Sequence, residues 1–305
     1  MESKDLLYNF RDKIEKKRRR KNIIISLIVI LFLFTGFNVW NNKKVDIKSY
    51  DVQNINIPTS FNGYKILQIS DVFSKDFGKN NKTILEIVDI KNPDIVVLTG
   101  NIISKDKDFK NYLLNLKNNI KQPIYYVLGD EEMSLDEKEK KDFIGFLEEN
   151  NIYLLNGKRL ALMSGGENIY LYGAKQALED YSYNFKDSDS RPRVENSGFK
   201  NEAEDFNIMI SHNPDYARVY ADENYDLILS GLKTGGIIRL PGLGGLAKAK
   251  NVNNLDYQAG RYWVEDSLLI VSKGLSSNRY KRVFNRPEIV EINLYGRAEV
   301  DNGKK

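Results

Sequence analysis

The sequence predicts an α/β domain with a largely parallel central sheet, preceded by one membrane-spanning helix. Near the N-terminus of the 305 residues, a single uncharged apolar stretch has about the length that crosses a bilayer core. After it, short apolar runs alternate with amphipathic stretches, a pattern typical of strands that are joined by helices. Parallel strands need such crossover connections, so the alternation favours a parallel sheet.

The apolar stretch is residues 23–40, IIISLIVILFLFTGFNVW, whose 18 residues carry no charge. About 20 residues of this kind cross a bilayer core. The basic run KKRRRK precedes the stretch, and Trp40 stands at its far end as an aromatic anchor. The positive-inside rule then predicts a basic cytoplasmic segment over residues 1–22 and places the rest of the chain on the outer face of the membrane.

A cleaved signal peptide is the alternative interpretation of residues 23–40. The residues that follow, NNKKVD, contain no small-x-small cleavage site, which favours an uncleaved signal anchor. We therefore predict a single-pass protein of the cell membrane. Residues 41–57 are interpreted as a polar tether that could include one edge strand, and residues 58–305 as the folded domain.

Charge and composition limit the functions open to the body of the chain. Residues 1–44 hold 11 Lys and Arg against 4 Asp and Glu, so the remaining residues hold 35 against 38. A slightly acidic body argues against nucleic-acid binding, which needs a basic surface. The absence of cysteine excludes disulfides, thiol catalysis and cysteine-based zinc sites.

The apolar pattern divides the body into strands and helices. Helices are predicted over residues 81–91 and 213–220, and a third follows a capping box that Ser134 and Glu137 would form. Strands are predicted over residues 65–70, 94–100, 125–129, 206–211, 225–230, 267–272 and 288–294.

Two polar stretches are predicted to lie at the surface. Residues 179–205 have almost no apolar periodicity, so we predict a long surface loop. Residues 130–142, DEEMSLDEKEKKD, are interpreted as a solvated helix entry, because acidic side chains favour the positive end of a helix. Asp130 alone stands out from this run.

Candidate site residues follow directly after five of the predicted strands. Ligands of open α/β sheets bind just beyond the carboxyl ends of the strands, so these positions should converge. In chain order they are Asp71 with Phe73, Asn101, Asp130 with Glu131, the only histidine His212, and Leu232 with Thr234. Taken alone, His212 could instead cap the helix that follows it, and Asp71 could accept hydrogen bonds from its own loop.

The stretches ISDVF, LTGN, LGDEE, ISHNPD and SGLKTGGIIRLP, in this order, resemble the motifs of the calcineurin-like metallophosphoesterases, particularly their membrane-anchored bacterial branch. That family shows D-x-H, G-D, G-N-H-[DE], S-H and G-H-T-H-G-G. The resemblance covers residues 58–294. It implies a four-layer α/β/β/α sandwich and hydrolysis of phosphate esters driven by two metal ions.

The resemblance also implies which positions would hold the metal ions. The first ion would take Asp71, Phe73, Asn101 and Thr234, and the second would take Asn101, Asp130, His212 and Leu232. Glu131 stands where the family has its catalytic histidine. Phe73 and Leu232 have no lone pair and Thr234 offers only a hydroxyl, so these three positions are degenerate and Asp71, Asn101, Asp130 and His212 are the residual donors.

Two functions from different classes follow from this donor set. One is a pseudoenzyme without a metal cofactor, acting in binding or scaffolding with a cell-envelope component or another membrane protein. The other is a phosphoesterase that uses one hard cation, Mn²⁺, Mg²⁺ or Ca²⁺, to hydrolyse a phosphate or pyrophosphate ester, because such cations accept oxygen ligands.

Overall fold

The computed structural model describes residues 2–175, 204–236, 238–240, 244–245, 257–277 and 282–296. The predicted surface loop at 179–205 lies outside the described residues, apart from its last two. The chain divides into two compact units between Lys44 and Val45.

The first unit contains the helix α1, which spans Glu2–Asn41. Its part Glu15–Asn41 is 27 residues long and contains an 18-residue window with a mean hydropathy of 2.5, so the helix is long and apolar enough to span a membrane. The hydroxyl of Thr35 donates to the carbonyl of Leu31 at 3.0 Å, so this polar group is satisfied within the helix. Residues 2–22 of the predicted cytoplasmic segment and the predicted span 23–40 lie on one continuous helix.

The second unit is built from fourteen described strands and five α-helices. The strands are β1 (Asp46–Asn54), β2 (Tyr64–Ile69), β3 (Ile95–Thr99), β4 (Ile124–Val127), β5 (Ile152–Leu154), β6 (Arg159–Ser164), β7 (Glu167–Gly173), β8 (Asn207–Ile210), β9 (Leu227–Ser230), β10 (Arg239–Leu240), β11 (Gly244–Gly245), β12 (Gly260–Val264), β13 (Ser267–Val271) and β14 (Glu288–Gly296). The helices are α2 (Lys82–Lys91), α3 (Phe109–Asn119), α4 (Asp130–Met133), α5 (Glu137–Glu149) and α6 (Ala217–Asp222).

Twelve of these strands form two six-stranded sheets. The first sheet has the order β1-β14-β2-β3-β4-β5 and the second has the order β12-β13-β9-β8-β7-β6. Strands β2 to β5 are parallel to one another, and so are β7, β8, β9 and β13. The carboxyl ends of these parallel strands carry the predicted site residues.

Three apolar layers separate four layers of secondary structure, which confirms the α/β two-sheet fold. On β3, Ile95 and Val97 point into the core between the sheets, while Val96 and Leu98 point into a second core shared with α2, α3 and α5. On the second sheet, Met209 and other outward residues form a third core with α6 and the turn before it. This alternation is the period-2 pattern of strands that are buried on both faces.

Two boundaries differ from the sequence prediction. Strand β1 pairs along its whole length with β14, so the folded unit begins near Val45 and the predicted tether at 41–57 is mostly an edge strand. The N-cap of helix α5 is Asp136, not Ser134: the Asp136 side chain accepts from the Glu139 amide at 2.8 Å, and the Glu139 side chain accepts from the Asp136 amide at 3.3 Å. Aspartate caps helices as well as serine does, and here Asp136 directly precedes the first turn.

Candidate functional site

The predicted site residues meet at one edge of the two sheets. Asn101 Nδ2 donates to Asp71 Oδ1 at 3.2 Å, and His212 Nε2 lies 3.5 Å from Asp130 Oδ1 and 4.0 Å from Asp71 Oδ1. These four side chains come from the loops after β2, β3, β4 and β8. Leu232, from the loop after β9, adds its backbone N–H, which donates to Asp71 Oδ2 at 3.1 Å.

Asp71 is the centre of the cluster and is fully buried. Its Oδ2 also accepts from the Ser70 hydroxyl at 2.6 Å. Burial raises the pKa of Asp71, against the lowering effects of His212, Ser70, Asn101 and the Arg282 guanidinium. The carboxylate therefore accepts hydrogen bonds from its surroundings, as one sequence interpretation expected, and also lies beside the other candidate donors.

His212 lies between a carbonyl and two carboxylates. Its Nδ1 is 2.6 Å from the Thr99 carbonyl oxygen, which can only accept, so Nδ1 carries a proton and Nε2 faces Asp130 and Asp71. Burial lowers the pKa of His212, but the nearby carboxylates of Asp130 and Asp71 outweigh it and raise the pKa to about 9. At neutral pH the imidazole is therefore a cation within this cluster.

The raised pKa of His212 predicts a pH-dependent stability. A group whose pKa is higher in the folded than in the unfolded chain stabilises the fold below its unfolded pKa, and this contribution disappears as the pH rises through the folded pKa. The free energy of unfolding should thus fall by about 3 kcal/mol between pH 6.5 and 9. Urea titrations of the wild type and His212→Gln at several pH values measure this: a variant that loses stability as steeply as the wild type would contradict the assignment.

Asn101 uses both ends of its amide within the protein. Besides the bond from Nδ2 to Asp71, its Oδ1 accepts from the backbone N–H of Glu131 at 3.0 Å. A side chain bound at both ends is a poor bridge between two dications, because its oxygen is neutral and already has a donor.

The three degenerate positions keep an unusual backbone but supply no metal ligand. Phe73, Leu232 and Thr234 are buried, and all have left-handed backbones, with φ of 56°, 65° and 50°. Side chains other than glycine adopt this region at a cost, so the loops retain a shape that their side chains do not favour. Across the described ranges, no three His, Cys, Asp or Glu side chains are arranged to hold a metal ion. The donor set does not fit the two-metal centre of the family.

Glu131, which the motif resemblance aligns with the family's catalytic histidine, is half-buried. Burial and the nearby charges of Asp130 and Glu132 raise its pKa. The carboxyl group therefore keeps a proton at higher pH than an exposed glutamate does, which is what a proton donor needs.

Glu132 was not recognised from the sequence, where it was assigned to a solvated acidic run. It is fully buried, and that assignment is wrong for this residue. Its two carboxylate oxygens accept from the Tyr126 hydroxyl at 2.6 Å and from four backbone N–H groups, those of Gly129 (2.8 Å), Asn101 (2.9 Å), Ile102 (2.8 Å) and Ile103 (3.2 Å). Glu132 thus ties the loop after β3 to the loop after β4. Its place as the last residue of the G-N-H-[DE] pattern was the available signal.

Lys233 is a second buried residue that sequence reasoning missed. It lies between the two degenerate positions of the last motif, and its Nζ is 2.6 Å from the carboxylate of Asp215. Both side chains are nearly inaccessible to solvent, so the pair fixes the loop after β9 to the turn before α6.

Replacing Lys233 with alanine should lower the free energy of unfolding by about 3–5 kcal/mol, because Asp215 keeps a buried charge without its partner. The double variant Lys233→Met and Asp215→Leu should recover most of this loss, since two apolar side chains remove both charges. Urea unfolding of the three proteins measures the difference. A double variant that is as unstable as Lys233→Ala would show that packing, not the charge, accounts for the loss.

The loop after β13 closes the cluster from the C-terminal side. The N–H of Ser276 donates to the backbone oxygen of Asp71 at 2.7 Å. Gly274 has a φ of 64°, and a Cβ there would lie 2.6 Å from the Cβ of Asp71, so only glycine fits.

Arg282 is buried beside this loop and donates to the carbonyl oxygen of Gly274 at 2.8 Å. Burial lowers the pKa of Arg282 to about 10, against the raising effect of Asp71 and Glu288.

Comparison with known proteins agrees with this geometry. The sequence model of the calcineurin-like phosphoesterase family matches residues 64–237, which include all the site residues named after β2 to β9. The chain is 23% identical over 274 residues to the uncharacterized metallophosphoesterase YkoQ of Bacillus subtilis (strain 168), covering 88% of this chain and 97% of YkoQ. It is 29% identical over 295 residues to the uncharacterized metallophosphoesterase Cj0846 of Campylobacter jejuni, covering 92% of this chain and 74% of that protein.

A solved structure, TT1561 of Thermus thermophilus, aligns with a TM-score of 0.44 at 12% identity, covering 70% of this chain and 91% of that one. The family assignment depends on the sequence match, which extends over more than half of the chain. The motif order, the two parallel-stranded sheets and the cluster at their carboxyl edge agree with it. This chain belongs to the calcineurin-like phosphoesterase family.

Proposed function

We propose that this protein is a pseudoenzyme of its family: a membrane-anchored protein with its folded unit on the outer face of the membrane, where it acts in binding or scaffolding. Its partner would be a cell-envelope component or another membrane protein, and it would need no metal cofactor. The observation that carries the proposal is the donor set at the sheet edge, where Phe73, Leu232 and Thr234 occupy three of the family's ligand positions.

The internal bonding of the remaining donors supports the same proposal. Asp71, Asn101 and His212 are joined to one another or to backbone groups, and the raised pKa of His212 supports a positive charge beside the carboxylates of Asp71 and Asp130. Asp71 and Asn101 each have both ends of their side chains bonded to protein groups, which helps a buried site to remain folded without metal ions.

The alternative is a phosphoesterase that uses one hard cation. Asp71, Asp130 and His212 face one another, and the raised pKa of Glu131 at the catalytic position would suit a proton donor. The reaction would be hydrolysis of a phosphate or pyrophosphate ester.

Metal content and turnover separate the two functions. The full chain, purified in detergent, is analysed for bound metal by mass spectrometry and assayed with p-nitrophenyl and bis-p-nitrophenyl phosphate in added Mn²⁺. The pseudoenzyme proposal expects neither metal nor turnover. Turnover that disappears in Asp130→Ala would establish the single-cation phosphoesterase instead.

The membrane orientation needs its own test. The basic run before residue 23 and the length of α1 support a cytoplasmic N-terminus with the folded unit outside. A reporter enzyme that is active only outside the cytoplasm, fused after Lys305, should be active in cells. Activity of a reporter that works only in the cytoplasm would contradict this orientation.

A further inference from the structure

A small cavity lies between the open edges of the two sheets. Strands β1 and β12 are the edge strands of the two sheets on this side, among the strands described. The cavity has a volume of about 170 Å³, and its walls include the end of β1 from Asp51 to Asn54 and, on the opposite side, Asp226, Arg261, Trp263 and Leu268. We call it the seam cavity.

The seam cavity is separate from the candidate functional site. Asn54 is the last residue of β1, which runs antiparallel to β2 through β14, and Asp226 directly precedes β9. Both residues therefore lie at the amino ends of the parallel strands, whereas Asp71 and its neighbours lie at the carboxyl ends. An occupant of the seam cavity would not compete for the cluster around Asp71.

Trp263 forms one wall of the seam cavity and is 72% exposed. It is paired across the strands with Leu268, whose side chain belongs to the core between the sheets, so the indole lies on that same face of the sheet at its open edge. Val52 and Leu268 are buried at the bottom of the cavity. An indole in this position contributes little to the core and presents a flat apolar face to a small ligand.

The polar wall of the seam cavity is held in place by hydrogen bonds. Asp226 accepts from Asn54 Nδ2 at 3.1 Å, from Asn56 Nδ2 at 3.4 Å and from the backbone N–H of Asn207 at 2.8 Å. These donors fix the carboxylate, which can still accept from a ligand because its two oxygens offer about four sites. Arg261, on the same strand as Trp263, is exposed and adds guanidinium donors to the same cavity.

We propose that the seam cavity binds one hexopyranose ring of a neutral or N-acetylated saccharide. Such a ring has a face of C–H groups that matches the indole of Trp263, and hydroxyls that can donate to Asp226 and accept from Arg261. The cavity is well below the roughly 300 Å³ at which pockets for larger ligands begin, which suits a single ring. A peptide that added to the edge of β1 would need main-chain contacts along the strand, but the cavity reaches only its last four residues.

The chain offers a direct reporter for this proposal, because it contains only two tryptophans, Trp40 and Trp263. The full-length Trp40→Phe variant is purified in a detergent without a sugar headgroup, so that Trp263 alone emits. Methyl glucoside or N-acetylglucosamine should shift its emission to shorter wavelength and reduce quenching by acrylamide, with half-saturation at roughly 1–10 mM for so small a contact. The same concentrations of glycerol should have no effect.

A matched pair of variants locates the binding. In the Trp40→Phe background, Arg261→Ala should raise the half-saturating concentration at least about tenfold, the equivalent of one lost charged hydrogen bond. Met163→Ala, an exposed residue of β6 on the other edge of the same sheet, should leave it unchanged. No response of Trp263 to about 100 mM of either sugar, well above the affinity expected for one ring, would overturn the proposal. The proposal would also be overturned if a tryptophan-free extended peptide such as (Thr-Val)₄ protected Trp263 from quenching by acrylamide and the sugars did not.

Discussion

Glu132→Ala should lower the free energy of unfolding by about 4 kcal/mol or more, because five buried donors lose their acceptor together. An unsatisfied buried donor costs about 1–3 kcal/mol, and local rearrangement or water can satisfy only some of the five. Four of the donors are backbone N–H groups of the loops after β3 and β4, so the loss should loosen both loops. Urea unfolding of the full chain in detergent, followed by near-ultraviolet circular dichroism of the folded unit, measures the change.

Glu131→Ala is the matched control, because Glu131 precedes Glu132 on the same short helix and is only half-buried. The free energy of unfolding of this variant should stay within about 1 kcal/mol of the wild-type value, as for most substitutions that break no buried network.

If Glu132→Ala does not fold, Glu132→Gln answers the same question. Its amide keeps one acceptor oxygen but turns an NH₂ group towards donors, so we expect a loss between those of the two alanine variants. Equal losses in the two alanine variants would show that the carboxylate of Glu132 does not hold the loops.

The sequence predicted the buried central strands of the two sheets better than their edge strands. Buried parallel strands such as β3 are continuous apolar runs, and the polar residues that follow them mark their carboxyl ends. Edge strands such as β1 and β12 lack this signal, because one side of each strand meets solvent and polar residues interrupt the pattern. The polar sequence of β1 therefore resembled a tether, although its pairing with β14 makes it part of the folded unit.

In the candidate site, too, some residues could be predicted from the sequence and others could not. Positions that carry the chemistry of the family, such as Asp71 and His212, could be found from motif order, since each follows a strand. Charge patterning did not reveal Glu132 and Lys233, because a charged residue looks the same in a solvated run and in a buried one. For Glu132 the only signal was its place in the G-N-H-[DE] pattern. Only tertiary structure supplies the partners that make burial of such a residue tolerable: four amides and Tyr126 for Glu132, and Asp215 for Lys233.

Restoring the family's ligands should restore metal binding, if the loops have kept their backbone. The sixfold variant carries Phe73→His, Asn101→Asp, Asp130→Asn, Glu131→His, Leu232→His and Thr234→His. We expect this variant to bind about two divalent ions per chain and the wild type to bind none, and we expect the variant to hydrolyse bis-p-nitrophenyl phosphate. Mass spectrometry of the purified full chain counts the ions, and release of p-nitrophenol measures turnover.

The physical reason for this expectation is the left-handed backbone at Phe73, Leu232 and Thr234. A loop free to relax would not keep three side chains other than glycine at positive φ, since each costs of the order of 1–3 kcal/mol. Neighbouring groups hold the loops instead: the Leu232 N–H bonds to Asp71, and a Cβ on Gly231 would lie only 1.9 Å from the Ser70 hydroxyl. The new imidazoles at positions 73, 232 and 234 would therefore start from the left-handed backbone that these positions have now.

Two control variants decide how metal binding by the sixfold variant is interpreted. Adding Asp71→Ala should remove one of the two ions, because Asp71 is a ligand of the first site alone in the family's arrangement. Omitting Leu232→His and Thr234→His should weaken both sites, since each loses an imidazole. A sixfold variant that folds but binds no ion would mean that the loops have moved with their side chains. The pocket would then no longer have the family's shape, and the lack of catalysis that we propose could not be assigned to the ligands alone.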